Sequence, residues 1–197
     1  MKNPFSALLL AGGLSSRMGS DKAFLSYQGN PLWLHQLEKF KVIGAEKIFI
    51  SRGSGQSDWE CDETFVWDRF EQAGPMGGIL AGMEVAQNKW MMVLAVDLPM
   101  ISVSVLQNLV AAASEDGGAV YWNKSYFEPL VALYPTILKK EIQDSLEKGD
   151  RSIQRLLRKW VEEKKMISIE IPSECIVQYT NVNSVQEFTE ITKTTQS

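Results

Sequence analysis

Leu8-Leu9-Leu10-Ala11-Gly12-Gly13-Leu14-Ser15-Ser16-Arg17-Met18-Gly19-Ser20-Asp21-Lys22 sets the reading of the whole chain. A short apolar run, the pattern of a buried strand, ends in a glycine-rich turn. Arg17 and Lys22 follow closely. Glycine lets the backbone approach an anion and leaves its N–H groups free to point at it. The two cations add mobile positive charge. Together these are the ingredients of a loop that holds a polyphosphate. The same residues also suit a plain tight turn with solvated charges, and composition leaves both readings standing. The spacing excludes two common phosphate loops. G-x-x-x-x-G-K-[ST] fails because Ser20 and Asp21 separate Gly19 from Lys22, and G-x-G-x-x-G fails at Gly12-Gly13.

Working outward, apolar and amphipathic stretches alternate. Strands are predicted at 7–11, 47–51, 64–67 and 90–96, with helices near 32–40, 77–87 and 102–113 between or after them. Pro31 suits a helix's first turn, and Ser102 or Ser104 can cap the third helix. The polar stretch 52–63 reads as a loop. Further on, strands are predicted at 119–122, 130–134 and 167–171. Thr136 can cap a helix running to Lys148 and ended by Gly149. A second amphipathic helix covers 151–162. Ser184-x-x-Glu187 is a capping box that opens a last helix, and the tail 192–197 is expected to fray.

Strand–helix alternation over the first 110 residues implies parallel strands with crossover helices. Ligands of such sheets bind at the carboxyl ends of the strands. Gly12, Ser51, Asp68 and Asp97 all fall at or just after predicted strand ends. The second half has more antiparallel character and suits a lobe covering an acceptor.

The bulk properties limit the choice of function. The 197 residues suffice for one sizeable core. A net charge of −4 argues against a nucleic-acid binder, which would show a basic stripe. His35 is the only histidine, so a Ser-His-Asp hydrolase or a multi-histidine metal centre is excluded, and His35 reads as a packing or surface residue. Cys61 and Cys175 form no C-x-x-C pair and read as free thiols in a reducing compartment. Residues 8–11 are too short for a signal-peptide core, and no apolar run approaches a membrane span. A cytoplasmic protein without a membrane or nucleic-acid partner is expected.

The loop Leu10-Ala11-Gly12-Gly13-x-Ser-x-Arg17-Met18-Gly19-x-Asp21-Lys22 resembles the signature of the molybdenum cofactor guanylyltransferases, in the MobA-like nucleotidyltransferase family. Gly74-Pro75-Met76-Gly77-Gly78, Val96-Asp97-Leu98-Pro99 and Asn181-Val182-Asn183 resemble later blocks in the same order. The resemblance implies an α/β, Rossmann-like, three-layer fold of the nucleotide-diphospho-sugar transferase type with a mostly parallel sheet. It implies one domain over 1–197, with a nucleotide-binding part at about 1–110 and an acceptor-binding part at about 111–191. The implied substrates are GTP and molybdopterin. Mg²⁺ is the implied cofactor and Mn²⁺ a substitute. Molybdoenzymes and other cofactor-biosynthesis proteins are implied as partners of a monomer.

Asp97 follows the strongest apolar run. A carboxylate at a strand end beside a triphosphate is a natural Mg²⁺ ligand, since Mg²⁺ takes one or two carboxylates plus phosphate oxygens and water. An Asx turn before Pro99 is the alternative. The resemblance favours the metal role and makes Arg17, Lys22 and Asp97 the catalytic set. It places Leu10, Ala11, Gly12, Gly13, Lys22, Ser51, Asp68, Gly78 and Asp97 against GTP. Ser51 departs from the Asn usual there, and a hydroxyl cannot make an amide's paired contacts. The Gly74–Gly78 block opens a helix, where free N–H groups suit a base or phosphate; close helix packing would explain it equally. Asn181 and Asn183 would share one face of a strand and suit a polar ring such as a pterin, or else form turn chemistry. Arg151 suits an acceptor phosphate or is a solvated helix-start cation. Gly12, where the cytidylyl branch carries alanine, leaves room beside the base for a purine. Open alternatives are a CTP-dependent or sugar- or alcohol-phosphate nucleotidyltransferase, and a non-catalytic cofactor-delivery partner.

Overall fold

The computed structural model describes residues 4–12, 21–53, 59–70, 72–113 and 117–182. Its elements are β1 (Phe5–Leu10), β2 (Ser26–Tyr27), β3 (Asn30–Pro31), α1 (Leu32–Ile43), β4 (Lys47–Arg52), β5 (Thr64–Trp67), α2 (Pro75–Val85), β6 (Trp90–Ala95), α3 (Val103–Ala112), β7 (Gly118–Trp122), β8 (Phe127–Pro135), α4 (Lys139–Glu147), α5 (Ile153–Glu162) and β9 (Met166–Glu170). Three short 3-10 turns, at Lys22–Phe24, Thr136–Leu138 and Ser173–Tyr179, complete them.

Seven strands form one sheet in the order β5-β4-β1-β6-β8-β7-β9. Neighbours are parallel except the two pairs that involve β8. The parallel half is β5-β4-β1-β6, as the alternation of strands and helices requires. Side chains alternate across it. Phe5, Ala7 and Leu9 of β1 and Met92 and Leu94 of β6 pack with α1 and α3 on one face. Leu8 and Leu10, with Met91 and Val93, pack with α2, α4 and α5 on the other. Strands buried on both faces read as continuous apolar runs, which is why β1 and β6 stood out in the sequence. The three-layer, mostly parallel α/β fold is therefore as expected. Among the described residues no helix is long and apolar enough to cross a membrane.

Several local expectations are corrected. Thr136 does not cap a helix. It opens a 3-10 turn, and its hydroxyl donates to the carbonyls of Asn88 (2.9 Å) and Lys89 (3.1 Å), fastening that turn beside the start of β6; α4 begins only at Lys139. Ser102 occupies the N-cap position of α3 without a side-chain cap bond, its hydroxyl meeting that of Ser104 instead. α2 starts at Pro75 rather than 77, because proline fits the first helical position. α5 starts at Ile153, with Ser152 accepting from the Arg155 N–H. β8 extends to nine residues, and its partner β7 carries a register shift between Val120 and Trp122. The β2–β3 hairpin and the turn Ser173–Tyr179 were not predicted. The capping box at Ser184 and the tail lie outside the described residues.

Candidate active site

The four expected residues do meet on one sheet edge. β5, β4, β1 and β6 lie side by side and point the same way, so Asp68, Ser51, Gly12 and Asp97 stand along their carboxyl ends. Backbone pairing continues past the strands to this edge. Ala11 N–H donates to the Ser51 carbonyl (3.0 Å), Val96 N–H to Leu10 (3.0 Å), and Val182 N–H to Asp97 (2.8 Å). The last bond brings the Asn181-Val182 segment from far along the chain to the Asp97 backbone.

Lys22 and Asp97 form an ion pair, Nζ to Oδ2 3.5 Å. Burial pushes the Asp97 carboxyl up, and the Lys22 ammonium opposes that shift. A cation and a carboxylate, each about one-fifth exposed, thus face each other at the strand ends. Lys22 is placed by its neighbour. Asp21 caps the turn Lys22–Phe24 through the Ala23 N–H (3.0 Å), and its carboxylate pairs with Arg52 at 2.7 Å. The Arg52 side chain, 3% exposed, also donates to the Ala11 carbonyl (3.3 Å) and stacks over Trp59 at 4.4 Å. One buried guanidinium therefore joins the end of β1 to the start of the Lys22 turn. Sequence reading missed Arg52. An arginine opening a polar stretch looks like a loop cation, and only the β1–β4 pairing reveals what it reaches.

Helix α1 supports the other side. Gln36, fully buried, donates from Nε2 to the carbonyls of Leu98 (2.9 Å), Ala95 (3.1 Å) and Val96 (3.5 Å). Lys39 donates to the Pro99 carbonyl (2.8 Å), which His35 Nε2 also meets at 3.3 Å. Burial pushes the Lys39 ammonium down to about 7. It also lowers His35, with the Lys39 charge adding to the effect. His35 packs edge-on against Tyr27 and belongs to the support, in keeping with its reading as a packing residue. Gln36 and Lys39 carried one signal that went unused: polar residues on the buried stripe of an otherwise apolar helix face.

The Asp68 side of the edge is tightly packed. A methyl on Gly77 would fall about 2 Å from the Asp68 carboxylate, and one on Gly78 would lie 2.5 Å from the Ser51 hydroxyl. Close packing thus accounts for both glycines. Asp68 also accepts from the Phe70 N–H (2.8 Å); burial raises its carboxyl and this bond opposes the shift. Ser51 is buried beneath α2. Gly12 has a packing explanation as well. A methyl there would strike the Gly53 nitrogen at 2.6 Å and the Arg52 carbonyl carbon at 3.0 Å. Its bare Cα answers to the neighbouring strand's backbone, and room for a purine is not needed to explain it.

Other expected residues are less closely joined. Asn181 is exposed and sits next to Val182, but the described chain there is irregular, so the one-face argument from a strand does not apply. Arg151 lies near the same sheet edge, since Gln154 of the same helix start bonds the Phe127 backbone, yet its guanidinium donates to Gly149 (3.1 Å) and no described contact links it to Asp97. Gly13, Arg17 and Asn183 lie outside the described residues. Two open clefts of about 330 Å³ around Glu46, Lys47 and Thr64 are at the opposite edge of the sheet.

Among the described residues no group of three or more His, Cys, Asp or Glu gathers into a metal cage. A carboxylate at the edge with a lysine beside it suits a divalent cation that takes phosphate oxygens and water as its remaining ligands. Asp97 fits that role.

Known proteins resemble the chain over most of its length. The profile described as the MobA-like NTP transferase domain matches residues 7–165. A protein named "Probable molybdenum cofactor guanylyltransferase" from Opitutus terrae is 36% identical over 84% of each chain. A molybdenum cofactor guanylyltransferase from Ectopseudomonas mendocina is 34% identical over 86% of this chain and 83% of that one. Among solved structures, molybdopterin-guanine dinucleotide biosynthesis protein A from Archaeoglobus fulgidus superposes with a TM-score of 0.71 over 94% of this chain and 95% of that chain; at 21% identity it shows a shared fold.

Proposed function

The chain belongs to the MobA-like NTP transferase family, and from that premise we propose that it transfers GMP from GTP to the terminal phosphate of molybdenum-bearing molybdopterin, releasing pyrophosphate. The single observation that carries this reading is the Lys22–Asp97 pair at the carboxyl edge of β1 and β6. The names of the relatives at 34–36% identity support the choice of substrates.

An acceptor phosphate oxygen attacks the α-phosphorus of GTP and forms a new P–O bond. The bond from that phosphorus to the α,β-bridging oxygen breaks, and its electron pair leaves with pyrophosphate. The nucleophile is already anionic, so the chain needs no Ser, Cys or general base, which suits a protein with one histidine. The protein's work is positioning and charge neutralisation. The Gly12-Gly13 amides cradle the phosphates, Leu10 and Ala11 lie against the nucleotide beside them, and Lys22 and Arg17 stabilise charge on the leaving group. Asp68, Ser51 and Gly78 form the wall on the nucleoside side. Asp97 would hold Mg²⁺, or Mn²⁺ in its place, which supplies Lewis-acid charge neutralisation at phosphate oxygens when bound. Asn181, Asn183 and Arg151 meet the acceptor. The nucleotide part is residues 1–110 and the acceptor part 111–191 of one domain.

Pyrophosphate release tests the reading. It should require GTP, molybdopterin and a divalent cation together. Asn181→Ala should weaken dependence on molybdopterin while sparing GTP affinity. Release that does not depend on molybdopterin would contradict the acceptor assignment.

A further inference from the structure

The chain between Ala95 and Pro99 carries Asp97, yet Asp97 does not anchor it. Its carbonyls at 95, 96, 98 and 99 are taken by side chains of α1. Gln36 Nε2 reaches three of them and Lys39 reaches the fourth at 2.8 Å. All of these groups are buried. The remaining carbonyl, that of Asp97, accepts from Val182 N–H. Five successive carbonyls are thus held, four by a helix and one by the Asn181-Val182 segment. That leaves the Asp97 carboxylate as the group presented outward to Lys22. A fully buried amide is costly unless bonded. Gln36 spends its donors on a turn that carries a functional carboxylate, while its Oε1 is buried with no hydrogen-bond partner among the described residues.

We propose that Gln36 and Lys39 are positioning residues for Asp97, holding the 95–99 turn so that its carboxylate is preorganised for a divalent cation. This rests on the reading of Asp97 as the cation's protein ligand. The partners act on the ligand through its backbone, and outer partners of metal ligands change affinity by about 10–100-fold. An effect at the lower end, about tenfold, is expected here because Gln36 and Lys39 bond the backbone of the turn and not the carboxylate.

The test is Mn²⁺ titration by electron paramagnetic resonance, on the full chain with a non-hydrolysable GTP analogue. Wild type is compared with Asp97→Asn, Gln36→Met and Lys39→Met, and amide exchange at Val182 is followed without metal. Asp97→Asn should abolish tight Mn²⁺ binding. Gln36→Met and Lys39→Met should each weaken it about tenfold and speed Val182 exchange, while metal-free nucleotide affinity stays within about twofold of wild type. A merely structural loss would move nucleotide affinity too. If Gln36→Met does not fold, Lys39→Met carries the test alone. Unchanged Mn²⁺ binding in the α1 variants, with Asp97→Asn defective, overturns the positioning role and leaves the ligand reading intact. Unchanged binding in Asp97→Asn overturns both.

Discussion

At the residue scale, the chemistry rests on charges held at strand ends. Asp97→Ala removes a carboxylate paired with Lys22 and should nearly abolish transfer, a loss of several kcal/mol of transition-state stabilisation; near-wild-type turnover at limiting Mg²⁺ would contradict it. Lys22→Ala and Arg17→Ala each remove a cation from where charge develops, and each should slow single-turnover transfer by about 10²–10³-fold. A change confined to the Michaelis constant for GTP would mean ground-state binding instead. Gly12→Ala now carries a different expectation from the one its sequence context suggests. Its methyl meets the Gly53 nitrogen, just past β4, at 2.6 Å, so overpacking should cost about 1–3 kcal/mol in urea unfolding, and GTP and CTP use should fall together. Loss of GTP use alone, at unchanged stability, would restore the argument from room beside the base. Asp97 and Lys22 were legible because strand ends and glycine turns leave local signatures. Arg52 was not, because its partners Asp21 and Ala11 are brought to it only by strand pairing.

At the element scale, α1 does more than connect β1 to β4. Leu32, Leu37, Phe40 and Ile43 bury its apolar stripe, and the first three were legible from spacing. Gln36 and Lys39 lie on the same buried face, and periodicity alone gives them no partner because the 95–99 turn is about 60 residues away. Burial holds the Lys39 ammonium near 7, against 10.5 ordinarily. Between these values the unfolded chain binds more protons than the folded one, so the Lys39 contribution to stability rises with pH from about 7 to about 10.5. Lys39→Met lacks that contribution. Its stability relative to wild type should therefore fall by about 1 kcal/mol per pH unit from pH 7.5 upward. Urea unfolding of both proteins at pH 6.5, 7.5 and 8.5 checks this, and a difference independent of pH would contradict it. Element boundaries were less legible than element types. Thr136 looks like a cap by residue type, but its hydroxyl is drawn to the Asn88 and Lys89 carbonyls across the fold.

At the scale of the whole molecule, one sheet sorts the chain into a parallel half, whose carboxyl ends form the edge, and a second half in which β8 alone runs the other way. The order of strands and helices made the parallel half readable. The second half was readable only as strands and helices, since nothing local in β7, β8 or β9 states which neighbour each pairs with. The Val182–Asp97 bond, which joins the two halves at the site, is a long-range pairing of this kind. The central claim is that this edge transfers a guanylyl group to a phosphate acceptor. The most direct measurement offers the protein equal concentrations of labelled GTP, CTP and ATP with molybdopterin and Mg²⁺, and separates the products. The account predicts the guanine dinucleotide as the dominant product, formed in step with pyrophosphate and lost in Asp97→Ala. Equal or better incorporation of CMP would overturn the guanylyl assignment, and no dinucleotide from any of the three would contradict the transferase reading itself.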